Sequence, residues 1–261
     1  MGSGVFVGFE LDRTIAVIDG VLKIGLSAAD LTQLAQTKNA AKLSRADLAL
    51  CMAQKKTGAT TVAATMIAAN FAGISVFATG GIGGVHRGAE RSMDVSADLQ
   101  ELAQTDVAVV CAGAKAILDL PKTLEYLETH GVPVLGFETD DLPGFYTRET
   151  GLQVDHRVDT PAQIAQLLRA KWDFGLHGGV LVTNPVPAEF AMPRKRIEQA
   201  VEQALSEAEA KGVTGKQSTP FLLARVTELT GGDSLATNIR LVENNARLAA
   251  LIAREVAKTH T

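Results

Sequence analysis

The chain has 261 residues, 46% hydrophobic and 21% charged, with a formal net charge of -4. That balance supports a substantial core, excludes a disordered chain, and lacks the strongly basic character of a nucleic-acid binder. The two cysteines, Cys51 and Cys111, form neither a C-x-x-C pair nor a zinc spacing, and the expected setting is a reducing one, the cytoplasm.

In chain order, residues 14–18 read as a short apolar strand closed by an Asp19-Gly20 turn, with residues 21–25 completing a hairpin. Ser27 caps a helix that runs through Gln36. Residues 60–72 read as a helix and 74–78 as the next strand. The apolar stretch 62–78 is broken by Thr65, Asn70 and Ser75, so it is not a membrane span. Ser96 caps a helix through Leu102, residues 107–111 form a buried strand, and 116–130 form a helix closed by Gly131. A strand at 132–137, a helix at 161–171 and a strand at 179–183 follow. Residues 194–211 form a helix ended by Gly212, and 220–230 and 238–258 are helical. This alternation predicts an α/β fold, a three-layer α/β/α domain around a central mixed, largely parallel sheet, with residues 1–261 as one domain.

The chemistry-bearing residues cluster at the ends of these strands. Residues 77–88 follow a strand and contain Gly80, Gly81, Gly83, Gly84 and Gly88, which let a ligand approach the backbone closely. His86 and Arg87 add side-chain donors. A dinucleotide fingerprint fails because His86 stands where the third glycine belongs, and Gly215-Lys216-Gln217 fails as a Walker loop. Lys115 follows the strand at 107–111, at a helix start, where its amine would face the crevice above a sheet and lose solvation. A desolvated amine is a nucleophile toward carbonyl carbon. Ser96 as N-cap leaves free N–H groups for an anion, and Asp94 just before it can hold a hard cation through oxygen. The short basic segment Lys42-Leu43-Ser44-Arg45 is expected in a loop, able to hold a phosphate. Asn238 closes a turn at 231–238 and either reads a base edge or caps the last helix. His130, His156, His177 and His260 show no metal spacing.

Together, residues 58–66, 77–88, 94–102, 109–115, 184–187, 218–225 and 231–238 resemble the pseudouridine-5′-phosphate glycosidase family, also called indigoidine synthase A-like. The resemblance runs from about Thr14 to the C-terminus. It implies reversible cleavage of the C–C glycosidic bond of pseudouridine 5′-phosphate to uracil and ribose 5-phosphate. It also implies a divalent cation, manganese (Mn2+) or another such as magnesium (Mg2+), and a homotrimer, with no nucleic-acid or membrane partner. By the same resemblance, Lys115 is the Schiff-base lysine and Asp94 the metal ligand. Lys42, Val62, Ser96, Ala97 and Asp98 then bind substrate, His86 falls in the same site, and Asn238 faces the base.

The chemistry is coherent with these assignments. Two-carboxylate glycosidases protonate a heteroatom leaving group, whereas here the leaving atom is carbon. An imine at C1′ supplies the electron sink that lets the bond break. The family's general-acid glutamate lies in an N-terminal strand that residues 1–12 do not resemble, and Glu10 does not occupy its place. That segment is therefore expected to be missing, and the alternative function is a catalytically impaired sugar-phosphate or nucleotide-binding homologue.

Overall fold

The structure is a computed structural model that describes residues 7–8, 11–12 and 14–258. Glu10, most of the divergent 1–12 stretch, and His260 lie outside the described residues. In chain order the strands are β1 (Val7–Gly8), β2 (Leu11–Asp12), β3 (Ile15–Ile18), β4 (Val21–Ile24), β5 (Ala41–Leu43) and β6 (Gly58–Thr60). They continue with β7 (Val76–Ala78), β8 (Ala108–Cys111), β9 (Val134–Phe137), β10 (His156–Val158) and β11 (Val180–Thr183). The helices are α1 (Ala28–Gln36), α2 (Arg45–Ala53), α3 (Val62–Phe71), α4 (Ala89–Ser92) and α5 (Ala97–Leu102). After them come α6 (Leu120–Thr129), α7 (Pro161–Asp173), α8 (Arg194–Ala210), α9 (Ser218–Leu229) and α10 (Asp233–Ala257).

Five strands form a sheet in the order β10-β9-β11-β8-β7, and all its pairings are parallel. Such a sheet is covered on both faces, which is why its inner strands are uninterrupted apolar runs instead of alternating ones. Phe77, Val109, Cys111 and Leu181 face a core that includes Met66 of α3, Leu99 of α5 and Val201 of α8. Val76, Ala78, Val110, Leu135 and Val182 face the other way, onto Ile164 and Leu168 of α7 and Leu248 and Ile252 of α10. This is the three-layer α/β/α arrangement. Its mixed character resides in a second, four-stranded sheet, β4-β3-β6-β5, where β3 pairs antiparallel with both neighbours and β5 runs parallel to β6.

Several boundaries differ from the sequence reading, and three of them matter for the site. Lys42 is not in a loop: it is the middle residue of edge strand β5, opposite Ala59 of β6. Helix α2 follows at once, because Asp47 Oδ2 accepts the Ser44 N–H at 3.0 Å and closes the first turn. Helix α6 begins at Leu120, not at residue 116, because Asp119 caps it by accepting the Lys122 N–H at 3.1 Å and Pro121 stands in its first turn. Lys115 therefore lies in the connection between β8 and α6, free of helical geometry. Helix α10 starts at Asp233, five residues before the expected start, once Gly231 and Gly232 have supplied positive φ angles of 65° and 91°. Asn238 consequently sits inside the helix and does not cap it.

Candidate active site

The glycine segment continues the parallel ladder beyond the ends of β7 and β8. Thr79 N donates to Val110 O at 2.9 Å, Ala112 N to Gly80 O at 2.9 Å, Ile82 N to Gly113 O at 3.2 Å, and Lys115 N to Ile82 O at 3.1 Å. The backbone of Lys115 is thus registered to the glycine turn, at the carboxyl edge of the sheet where α/β crevices form. Its Nζ donates to Gly81 O at 2.8 Å. Gly81 admits no larger residue: a Cβ there would lie 2.5 Å from the buried ring of Phe145, which holds the left-handed φ of 66°. Lys115 is half-buried as a residue, and its amine is desolvated.

Asp98 joins three segments at this point. Its Oδ2 accepts the Gly83 N–H at 2.8 Å and its Oδ1 accepts the Ala63 N–H at 2.9 Å in the first turn of α3, beside Val62. Its own N–H donates to Ser96 Oγ at 3.3 Å, so Ser96 caps α5 as the sequence predicts, and Ala97 is the first residue of that helix. Only 5% of Asp98 is exposed. Gly83 fits because it has no side chain, since a Cβ would lie 2.2 Å from Ser96 Oγ and 2.8 Å from Asp98 Oδ2.

The charges converge on one spot. Burial pushes the Lys115 amine below the ordinary lysine value; Asp98 opposes that shift and the like charge of Lys42 adds to it. Burial likewise lowers the His86 imidazole, against the pull of Asp94 and with the push of Lys42 and Lys115. His86 Nδ1 stands 4.0 Å from Asp94 Oδ2, and the His86 N–H donates to Asp94 O at 3.0 Å. Asn238 reaches in from α10, its Oδ1 only 3.1 Å from where a Gly80 Cβ would stand. Lys115, His86, Asp94, Ser96, Asp98, Asn238 and the start of α3 at Val62 are therefore neighbours around one turn, and the charge of exposed Lys42 acts on Lys115 and His86. A shallow surface groove along α1, lined by Ala28, Thr32 and Gln36 among others, involves none of them.

For a metal, the described residues contain no group of three or more His, Cys, Asp or Glu side chains. The Asp94 carboxylate, 39% exposed, fits a hydrated hard cation that takes one protein oxygen and keeps its waters, and does not form a closed cage. Cys111 is fully buried and its thiol is pushed up to about 12, so it packs as the small hydrophobe expected. His177 pairs with Asp106 at 2.9 Å and His130 stacks on Tyr126, both away from the site.

One participant carries no sequence signal. Arg45, read as a possible phosphate donor, instead grips Glu101 of α5 through Nε at 2.7 Å and Nη2 at 2.9 Å. Glu101 is 1% exposed, and this ion pair ties the segment after Lys42 to the helix that carries Asp98. The partners are 56 residues apart, beyond the reach of any local pattern.

Fold and site together define an α/β protein with a desolvated lysine at the carboxyl edge of a parallel sheet, the edge at which ligands of α/β proteins bind. Residues 10–255 match the family described as indigoidine synthase A like protein. The chain belongs to that family. Among curated relatives, pseudouridine-5′-phosphate glycosidase of Paracoccus denitrificans is 63% identical over 246 residues, covering 94% of this chain and 81% of the relative. The Escherichia coli protein of the same name is 59% identical over 243 residues, covering 93% and 78%. Among solved structures, the prealnumycin C-glycosynthase AlnA in complex with ribulose 5-phosphate superposes with a TM-score of 0.89 at 37% identity, over 95% of this chain and 82% of that one. An indigoidine synthase A-like protein of Thermotoga maritima gives 0.87 at 36% identity, over 94% and 80%.

Proposed function

We propose that the protein reversibly cleaves the C–C glycosidic bond of pseudouridine 5′-phosphate, giving uracil and ribose 5-phosphate, by way of an imine on Lys115. The observation that carries the reading is the Lys115 amine, held by Gly81 O at 2.8 Å and lowered in basicity by burial. The names of relatives that are 57–63% identical support the substrate, and the pentulose phosphate bound by the C-glycosynthase supports a phosphorylated five-carbon sugar.

In this reading the ribose ring opens at C1′ and Lys115 Nζ bonds to that carbon. With a proton added to the uracil ring carbon, the nitrogen lone pair forms C1′=N as the C–C bond breaks and uracil leaves. Water then hydrolyses the imine and returns ribose 5-phosphate and the free amine. Lys42 anchors the phosphate as a point charge from β5. Val62, Ser96, Ala97 and Asp98 line the sugar-phosphate seat at the starts of α3 and α5, His86 borders it, and Asn238 hydrogen-bonds the base edge. A divalent cation, manganese or magnesium, would be held through Asp94 and would supply positive charge to an anionic substrate. Asp98 orients the turn and moderates the Lys115 charge. The resemblance extends the proposal to a homotrimer.

The test is borohydride trapping with ribose 5-phosphate followed by peptide mass mapping. The expected result is a reduced adduct on Lys115 that Lys115→Ala abolishes while the fold is retained, together with uracil release from pseudouridine 5′-phosphate. An adduct on another lysine, or none, overturns the imine assignment. Trapping without uracil release leaves a sugar-phosphate-binding homologue.

A further inference from the structure

Asn245 of α10 is fully buried, with 0% exposure, and both ends of its amide are used. Its Nδ2 donates to Thr79 O at 2.8 Å, and its Oδ1 accepts from Asn184 Nδ2 at 3.0 Å. The carbonyl of Thr79 can only accept, so the orientation of the amide follows from the network. Asn184, itself 5% exposed, is fixed in turn because its N–H donates to Cys111 O at 2.8 Å. One buried side chain of α10 is thus bonded just beyond the carboxyl ends of β7 and β11, and Asn184 carries the link on to Cys111 of β8 through its own N–H.

Asn238 precedes Asn245 by seven residues, about two helical turns, and so lies on the same side of α10. It meets Gly80, the residue after Thr79. The amide that grips Thr79 therefore sets the height and rotation of the helix that presents Asn238. Sliding α10 along the sheet would strand buried polar groups of Thr79, Asn184 and Asn245 together, a costly result in a dry interior. Lys115 does not depend on this tie. Its backbone is held to the glycine turn by the ladder of Thr79, Gly80 and Ile82 with Val110, Ala112, Gly113 and Lys115, and its amine is held by Gly81 O.

We infer that Asn245 is a positioning residue that sets Asn238 against Lys115, and so governs how the pyrimidine base is held without governing formation of the sugar imine. The inference rests on the imine reading of the site. It divides the site mechanically: the sugar half is carried by β8 and the glycine turn, and the base half by α10, with Asn245 joining them.

The experiment compares the unaltered protein with Asn245→Leu, which keeps the branching and the number of side-chain heavy atoms and removes both bonds, and with Asn184→Ala, which keeps the bond to Thr79. Two readouts are taken, the rate of borohydride trapping with ribose 5-phosphate alone and the KM for uracil in the synthetic direction. In Asn245→Leu the uracil KM is expected to rise about 10- to 100-fold while trapping stays within about threefold, because a small misplacement penalises only the half that moved. Asn184→Ala should show the same split to a lesser degree, and it decides the matter by the same criterion if Asn245→Leu does not melt cooperatively. A parallel loss of trapping and of uracil use, or an unchanged uracil KM, overturns the inference. Absence of trapping in the unaltered protein overturns the imine reading itself, and this inference with it.

Discussion

Asp98→Asn separates two effects of opposite character at the centre of the site. The carboxylate accepts backbone N–H groups from Ala63 at 2.9 Å and Gly83 at 2.8 Å, and an asparagine can accept only one of them. The other N–H would face an amide NH2 in a place that is 5% exposed. Losing a hydrogen bond to a charged acceptor and stranding a buried donor costs about 2–4 kcal/mol. For a chain of this size that corresponds to a fall in melting temperature of about 5–15 °C. Electrostatics move the reactivity the other way. Asp98 is the group that holds the Lys115 pKa up against burial and Lys42, so its removal lowers the amine further. A lower amine pKa populates the neutral nucleophile at lower pH, and the rise of trapping with pH should shift to the acid side. Thermal melts and the pH profile of borohydride trapping with ribose 5-phosphate measure the two effects independently. An unchanged melting temperature would refute the clamp, and a profile that stays put or moves to the alkaline side would refute Asp98 as the opposing charge.

Gly83→Ala places a Cβ 2.2 Å from Ser96 Oγ and 2.8 Å from Asp98 Oδ2. Rotation of Ser96 moves its Oγ but not its Cβ, 2.6 Å away, and the doubly bonded carboxylate cannot yield either, so a loss of about 1–3 kcal/mol in denaturant titrations is expected, with weaker binding of ribose 5-phosphate. Arg45→Ala leaves the buried Glu101 carboxylate without its two-pronged partner. Because the guanidinium is half-exposed and screened, the expected loss lies near the lower end of about 1.5–3 kcal/mol, and Arg45→Lys should recover part of it in the same melts.

The parallel sheet was legible because its strands are dense apolar runs, as at residues 107–111 and 179–183, separated by capped helices. Short strands β5 and β6 were not: Ala41–Leu43 and Gly58–Thr60 have three residues each, too few to express a period, and exist because β5 pairs with β6 and β6 in turn with β3. Strand β10 escaped for the same reason, since two of its three residues are exposed. The start of α6 was available in Asp119 and Pro121, and the start of α2 in the Ser44-to-Asp47 spacing. At the site, Lys115, Asp94 and the glycine turn stood out by residue type and position. Lys42 was assigned to the wrong kind of segment, because its partner strand lies beyond an intervening helix. Arg45 and Glu101 illustrate the general limit: an ion pair between an exposed arginine and a buried glutamate of a distant segment leaves no trace in either neighbourhood.

Surface connections usually tolerate added or deleted residues. The stretch after β7 is a different kind of connection, since its carbonyls and amides interlock residue for residue with the stretch after β8. Inserting one amino acid between Thr79 and Ile82 would put a neighbouring carbonyl where Gly81 O now receives the Lys115 amine, and a bulky Cβ where Phe145 now lies. The count of residues in this stretch is therefore as much a part of the candidate site as their identity.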